Sequence, residues 1–166
     1  MKRVMSTVFI LLLIVLPLSL SVSASGNGSE EQILGDHEVV YFEDGSYAIV
    51  TISEDPVLSD SQSSTKAAQT KSGSKSISFY SSNNVIQWTV TVSGTFSYDG
   101  SSATCTASSV SSVIYVNDWK VTSAVASKSG NKAIGDFTVK RYVLLIPVQT
   151  ETVKLTLACS ASGALS

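Results

Sequence analysis

The stretch at residues 88–108, WTVTVSGTFSYDGSSATCTAS, contains the alternation that decides the fold. In its first half the even-numbered positions are apolar, aromatic or glycine, and the odd-numbered positions are serine or threonine. A period of two residues is typical of a strand with one buried and one solvated face. Asp99 and Gly100 then predict a two-residue turn into a returning strand, with Gly94 opposite Cys105.

The N-terminus has the pattern of a secretory signal peptide. Lys2 and Arg3 precede an almost wholly apolar run over residues 8–20, and small side chains follow at 22–24. The alternative is a membrane anchor, but the run is short for a spanning helix, which needs about 20 residues. We therefore expect residues 1–24 to be removed, leaving a secreted, extracellular product with no membrane span.

Cys105 is one of only two cysteines, and we expect it to be structural. A later strand carries Leu155, Leu157 and Cys159 on one apolar face. Two inward-facing cysteines in a secreted chain predict a Cys105–Cys159 disulfide, which would close a loop of about 55 residues and contribute about 4 kcal/mol. A metal site or a nucleophilic cysteine would need a nearby histidine, and the only one is His37.

Charge divides the secreted chain into two parts. Residues 25–60 hold nine acidic residues and neither lysine nor arginine, whereas residues 61–166 hold four acidic and nine basic residues. Such asymmetry is typical of an acidic segment tethered to a basic domain. Either both parts are simply solvated, or the acidic segment shields a basic binding face.

By sequence pattern, the secreted chain consists of three consecutive segments. Residues 25–58 are the acidic segment, in which an Asp-Gly pair between apolar β-formers predicts a hairpin. Residues 59–75 are rich in serine, threonine and lysine and predict a flexible linker, with Lys66 and Lys71 as candidate cleavage points. Residues 76–166 predict one disulfide-stapled β domain.

The expected fold class is all-β, an antiparallel β-sandwich. Several strands separated by turns follow one another after residue 76, and Pro147 indicates an edge strand or a bulge because proline cannot donate to a β-ladder. The order Cys105, Trp119, Cys159 gives immunoglobulin-like spacing. Leu157 stands where a tyrosine corner would place tyrosine, which weakens the match in topology.

The sequence provides little for catalysis. The domain contains Asp99, Asp118 and Asp136 but no histidine, and Asp99 is expected to form a turn. No motif for a nucleophile, a phosphate-binding loop or a metal site occurs, and the acidic segment lacks a calcium-loop pattern. We expect no enzymatic activity, no cofactor, no bound metal and no nucleic-acid partner.

Four residues are candidates for surface binding. They combine aromatic and basic side chains: Tyr115, Lys140, Arg141 and Tyr142. Such a mixture suits a sugar or an anionic polymer, although packing at the core or its rim is the simpler interpretation of the aromatic residues.

Several segments resemble a group of small secreted proteins from Gram-positive bacteria to which no activity is assigned. They are FEDGSY (42–47), the stretch at 88–108, SKSGNKA (127–133), RYVLLIPVQT (141–150) and LTLACSASGALS (155–166). The resemblance covers nearly the whole secreted chain. Its motifs are turn, core and cysteine residues, so it implies a shared fold and supplies no catalytic residues.

These observations lead to two functional hypotheses. The first is a non-enzymatic binding protein that contacts the cell envelope, a cell-wall polymer or another extracellular surface. The second is a bacteriocin-like or toxin-like protein whose acidic segment is a pro-region, released by cleavage near Lys66 or Lys71.

Overall fold

The computed structural model describes residues 37–55 and 68–166, and these form two antiparallel β-sheets. The strands are β1 (His37–Tyr41), β2 (Tyr47–Glu54), β3 (Gln69–Tyr80), β4 (Ile86–Tyr98), β5 (Ala103–Ile114), β6 (Trp119–Ser129), β7 (Lys132–Val143) and β8 (Ile146–Ala158). The all-β class is confirmed. The predicted signal peptide and the central part of the predicted linker lie outside the described residues.

Strand order follows chain order in both sheets, β1-β2-β3-β4-β5 and β6-β7-β8. Each strand therefore pairs with its neighbour in sequence, as in a meander. Immunoglobulin domains have Greek-key connections instead, so the immunoglobulin-like prediction is wrong in topology. Pro147 lies in β8, an edge strand, beside a register shift in the β7–β8 ladder, as expected for a residue that cannot donate.

The apolar faces of the two sheets share one hydrophobic core. Trp88, Val90, Val92 and Phe96 are buried on β4, which confirms the alternation seen in the sequence. From the three-stranded sheet, β7 and β8 contribute the facing apolar residues, among them the fully buried Phe137. Full burial of a large apolar side chain contributes about 1.5–3 kcal/mol, so this shared core is the main stabilising element.

An aromatic cluster connects the two sheets. Phe79 on β3 stacks on Trp88 of β4 with ring centroids 5.2 Å apart. Trp119, at the start of β6, lies edge-on to both rings at 5.8 and 6.1 Å, and its Nε1 donates to Oε1 of Gln87 at 3.2 Å. Tilted and offset ring pairs of this kind add about 0.5–1.5 kcal/mol each beyond area burial.

The β4–β5 register differs from the prediction. Phe96 lies opposite Cys105, and Gly94 lies opposite Ser108 rather than Cys105. A bulge next to Phe96 adds one further residue to β5.

The reason for the shifted register is the turn. Oδ1 of Asp99 accepts hydrogen bonds from the backbone N–H groups of Ser101 and Ser102, at 2.9 and 2.8 Å. This network holds four residues in the connection rather than two, so the returning strand starts two residues late. An even shift preserves the face of every residue before the bulge, and Cys105 remains buried as predicted.

The hairpin of the acidic segment is confirmed, but it does not stand apart. β1 and β2 flank a tight turn in which Gly45 has φ of +80°. β2 then pairs along its whole length with β3, which starts at Gln69. The predicted linker 59–75 is therefore wrong for 69–75, which form strand, and the boundary at 76 does not separate this hairpin from the rest of the sheet.

The composition of β3 is explained by its position in the five-stranded sheet. Its outward side chains take part in rungs of hydroxyl groups that cross four strands. One rung holds Ser53, Ser74, Ser93 and Ser109, and the next holds Thr51, Ser76, Thr91 and Ser111. Hydroxyl pairs bond across the strands, as between Ser78 and Thr89 at 2.8 Å. A Ser/Thr-rich sequence that suggests a linker therefore forms the solvated face of a sheet.

The predicted disulfide is wrong: Cys105 and Cys159 are both free and buried. Each thiol donates to a backbone carbonyl near it in sequence, of Ala107 and Ser160 respectively. Their backbone N–H groups bond to consecutive carbonyls of the β6–β7 turn, those of Gly130 and Asn131. The two cysteine-bearing segments are thus held through this turn and not by a covalent bond.

Free, buried thiols give a direct expectation for chemical labelling. Burial raises the pKa of both cysteines, which lowers the thiolate fraction that reacts. We expect a thiol reagent to modify neither cysteine rapidly in the native protein, and to modify two per chain after denaturation without reductant. A denatured chain that yields thiols only after reduction would contradict this structure.

Candidate functional site

The three-stranded sheet carries most of the basic side chains in the described part of the chain. Its strands contain six basic residues, namely Lys120, Lys128, Lys132, Lys140, Arg141 and Lys154, and two acidic residues, Asp136 and Glu151. The basic residues of the sequence are thus concentrated in the three-stranded sheet. It packs against the five-stranded sheet, whose solvated face carries mainly hydroxyl groups.

Two of these lysines occupy directly paired positions. Lys120 on β6 lies opposite Lys140 on β7, and each follows an inward, buried residue, which directs it outward. Nζ of Lys120 lies 5.4 Å from the ring centroid of Tyr142, a cation–π contact. We call Lys120, Lys140 and Tyr142 the basic face.

The predicted binding residues are only partly brought together. Lys140 and Tyr142 share the basic face, whereas Arg141, between them, points to the other side and lies 3.8 Å from a carboxylate oxygen of Asp118. Tyr115 is half-exposed in the β5–β6 loop, where its N–H donates to the carbonyl of Gln87. Tyr115 therefore belongs to a neighbouring loop and not to the basic face.

Sequence reasoning missed Lys120. The signal was present, because Lys120 follows Trp119, an expected core residue, and alternation places the next side chain on the opposite face. Its pairing with Lys140 depends on the two-residue β6–β7 turn and on a bulge in β6, and neither is encoded by periodicity.

The hairpin between β7 and β8 projects an apolar tip beyond the basic face. The tip consists of Val143, Leu144, Leu145, Ile146 and Val148. Leu144 is 91% exposed and Leu145 is 87% exposed. The base of the hairpin is held by Tyr142, whose N–H donates to the carbonyl of Asp118 at 2.7 Å.

The tip is also strained. Leu144 and Leu145 have φ angles of +50° and +69°, so both central residues of the turn are left-handed. This is the backbone that Asn-Gly adopts readily in a two-residue hairpin turn. For residues with a Cβ the conformation costs about 1–2 kcal/mol each, and the two side chains it displays make no compensating burial.

Glu151 on β8 faces inward near the β1–β2 turn. Burial raises its pKa, a hydrogen bond from Nε2 of Gln149 at 2.9 Å opposes the rise, and the negative charge of Asp44 adds to it. In Asp44 the balance is reversed, since hydrogen bonds from the side chain and backbone of Ser46 lower its pKa. The charged form is thus favoured for Asp44 and disfavoured for Glu151.

Replacing Glu151 with glutamine should stabilise the protein at neutral pH. A carboxyl with a raised folded-state pKa favours folding below its unfolded pKa, and that contribution is lost as the pH rises through the folded pKa. We expect Glu151→Gln to raise the free energy of unfolding by up to about 1 kcal/mol at pH 7 and to leave it nearly unchanged at pH 3. Urea unfolding at both values, with exposed Glu38→Gln as control, measures this; equal effects at both values would contradict it.

Two further acidic groups, Asp99 and Asp136, serve structural roles. Asp99 forms its turn as expected, and hydrogen bonds, first from the Ser101 hydroxyl, lower its pKa to about 2. Asp136 lies 3.7 Å from Nζ of Lys154. Over residues 37–55 and 68–166 no group of three or more potential metal-ligating side chains occurs, and no helix is long and apolar enough to cross a membrane.

A shallow depression of about 160 Å³ opens along β3, β4 and β5. Hydroxyl side chains and glycines form most of its wall, and Asp55 is its one charged residue. Pockets that enclose a small molecule usually measure about 300–1,000 Å³. This depression is small and open by comparison, and within the described residues we take the basic face and the apolar tip as the candidate functional features.

Comparison of the chain with protein families, with curated proteins and with solved structures finds no match. The resemblance to secreted proteins of Gram-positive bacteria therefore stays a prediction.

Proposed function

We propose that this protein is a secreted, non-enzymatic binding protein that attaches to an anionic polymer of the cell envelope through its basic face. In this proposal Lys120 and Lys140 bind anionic groups of the polymer, and Tyr142 supplies a flat contact surface. We also take the two sheets, which share one core, as a β-sandwich that serves as a rigid support for this face.

The observation that carries the proposal is the direct pairing of two lysines. Like charges opposite each other in a β-ladder destabilise it. The described ion pairs are Lys71–Glu54, Arg141–Asp118 and Lys154–Asp136, so no described carboxylate neutralises Lys120 or Lys140. An anionic group bound between the two ammonium groups would remove the repulsion and gain two charge-assisted hydrogen bonds.

The described acidic hairpin does not act as a shield in this proposal. β1 and β2 extend the five-stranded sheet on the side away from β5, and β5 is the strand that contacts β6. The hairpin therefore lies on the side of the five-stranded sheet away from Lys120. Of its acidic groups, Asp44 acts on Glu151 of β8 and Glu54 pairs with Lys71, so neither is directed at the paired lysines.

The pro-region hypothesis is less well supported. Lys71, one expected cleavage point, lies within β3 opposite Phe96 of β4, and its Nζ is 2.7 Å from a carboxylate oxygen of Glu54. Its side chain is 15% exposed, and a protease needs an extended, accessible segment. Lys66, the other expected cleavage point, lies outside the described residues.

The test is binding of residues 25–166 to isolated Gram-positive cell walls, before and after extraction of their phosphate polymers. We expect wild-type binding to weaken with salt and with extraction. Because each lysine near an anionic surface contributes about 1 kcal/mol, Lys120→Gln/Lys140→Gln should weaken binding about 30-fold.

The matched control is Lys132→Gln/Lys154→Gln, which removes the same charge from the same sheet away from the paired lysines. It should retain most of the binding. Equal loss in both double variants would mean that net charge alone is responsible, and no wild-type binding to walls would overturn the proposal.

A further inference from the structure

We infer that the apolar tip inserts into the interfacial region of an anionic lipid bilayer. This contact goes beyond the proposed polymer binding, because the inserted side chains are different and the material they enter is a lipid bilayer. Leu144 and Leu145 expose nearly their entire side chains at the end of a hairpin.

The apolar tip is retained at a cost in backbone strain. Two consecutive non-glycine residues with positive φ are held in a two-residue turn, where Asn-Gly would adopt the same backbone without strain. Strained backbone at an exposed position indicates a functional requirement rather than a requirement of folding. Here the requirement is the apolar surface of the two leucines.

The order of side chains along the hairpin matches the layers of a bilayer surface. Starting at the tip, leucine and isoleucine come first, then Tyr142, then Arg141 and Lys140. A strand rises about 3.4 Å per residue, which places Arg141 about 10 Å behind Leu144. Interfacial segments bury about 5–10 Å into the boundary between headgroups and acyl chains. Insertion of the leucines would thus bring the tyrosine to the interface and the basic groups to the lipid phosphates.

The exposure of the tip favours a fluid partner over a rigid one. Leu144 and Leu145 are almost fully exposed at a two-residue turn, so a rigid partner would need a cavity that encloses them, and two copies of so short a turn would share little area. A fluid bilayer adapts to a projection of any shape. The nearby cations, Lys120, Lys140 and Arg141, complement an anionic leaflet, and they favour lipid over a second copy of this basic sheet.

The test uses residues 25–166 with vesicles of phosphatidylcholine alone or mixed with phosphatidylglycerol. We expect the wild-type protein to co-sediment with the mixed vesicles, and part of the binding to persist in high salt because apolar insertion is not screened. The informative variant is Leu144→Asn/Leu145→Gly, which suits the turn and removes the apolar side chains.

This variant should fold more stably while losing its membrane affinity. Relief of the strained turn is expected to raise the Tm by several degrees, and loss of two inserted leucines should weaken vesicle binding about 100-fold. The control Val113→Thr/Val125→Thr removes two half-exposed valines elsewhere and should leave binding unchanged.

The outcomes separate this inference from the proposed function. Absence of wild-type binding to mixed vesicles, or undiminished binding by the tip variant, would overturn the inference. So would a concentration-dependent dimer that the tip variant abolishes, since the tip would then contact a second copy. In each of these cases, wall binding that depends on Lys120 and Lys140 would still support the proposed function. Conversely, if the protein bound vesicles but not cell walls, only the proposed function would be overturned.

Discussion

Phe137→Ala is expected to lower the free energy of unfolding by about 3–5 kcal/mol. Phe137 lies in the middle of β7 and is 1% exposed. Its ring packs over Gly135, where an added Cβ would lie 2.8 Å from Cε2 of the ring. Truncation removes both the transfer free energy of the ring and the contacts of its neighbours around the resulting cavity. Since a domain of this size is typically stable by about 5–15 kcal/mol, the loss would be a large part of the total.

Urea unfolding of Phe137→Ala provides the measurement, with two reference variants. Phe137→Leu keeps most of the volume and should lose clearly less stability. Thr138→Ala changes the next side chain, on the solvated face, and should stay within about 0.5 kcal/mol of wild type. A loss below about 1 kcal/mol for Phe137→Ala would mean that the two sheets do not share a close-packed core.

Gly94→Val is expected to cost about 2 kcal/mol, because two effects oppose each other and sterics dominate. Valine has the higher strand propensity, worth up to about 1 kcal/mol. However, a Cβ at Gly94 would lie 2.6 Å from Cζ of Phe96 and 2.8 Å from Cβ of Ala133. Ala133 belongs to the facing sheet and is fully buried, so neither neighbour can move away freely. Overpacking of such a site typically costs about 1–3 kcal/mol.

The control for Gly94→Val is Ser93→Val, one residue earlier and on the solvated face. Ser93→Val gains the same strand propensity without entering the core, and should be neutral or slightly stabilising. Thermal unfolding of both variants separates the steric effect from propensity. If Gly94→Val were as stable as Ser93→Val, the approach of β4 to β7 at this point would be looser than the structure has it.

The sequence was sufficient to predict the elements whose alternation is uninterrupted. The apolar positions of β4 and the face of Cys105 follow from period two alone, because one face of the strand is buried. Alternation does not give distances across a fold, however. Cys105 and Cys159 both point inward, as expected, but the prediction of a disulfide required proximity of the sulfurs, which no pattern along the chain contains.

The elements that the sequence did not predict correctly are those without a periodic pattern. The first half of β3 lacks apolar residues because its outward side chains are hydroxyls, and its inward face starts with Lys71 and Gly73. The β4–β5 register depends on how the Asp99 side chain bonds to the backbone. The turn at Leu144 and Leu145 has no recognisable sequence signal, since that backbone normally selects asparagine and glycine. Each feature is determined by local hydrogen bonding or by tertiary context rather than by periodicity.

The strict chain order of the strands has a consequence for how the molecule forms. Every ladder joins strands that are consecutive in sequence, so each pairing can form as a hairpin on a template already in place. Folding rate falls as the average sequence separation of native contacts rises. Growth of the sheets by successive hairpins postpones the costly closure of long loops to the single step in which the two sheets meet. The chain can thus reach its native pairing faster than a Greek-key protein of similar length, and it exposes unpaired edges to other chains for a shorter time.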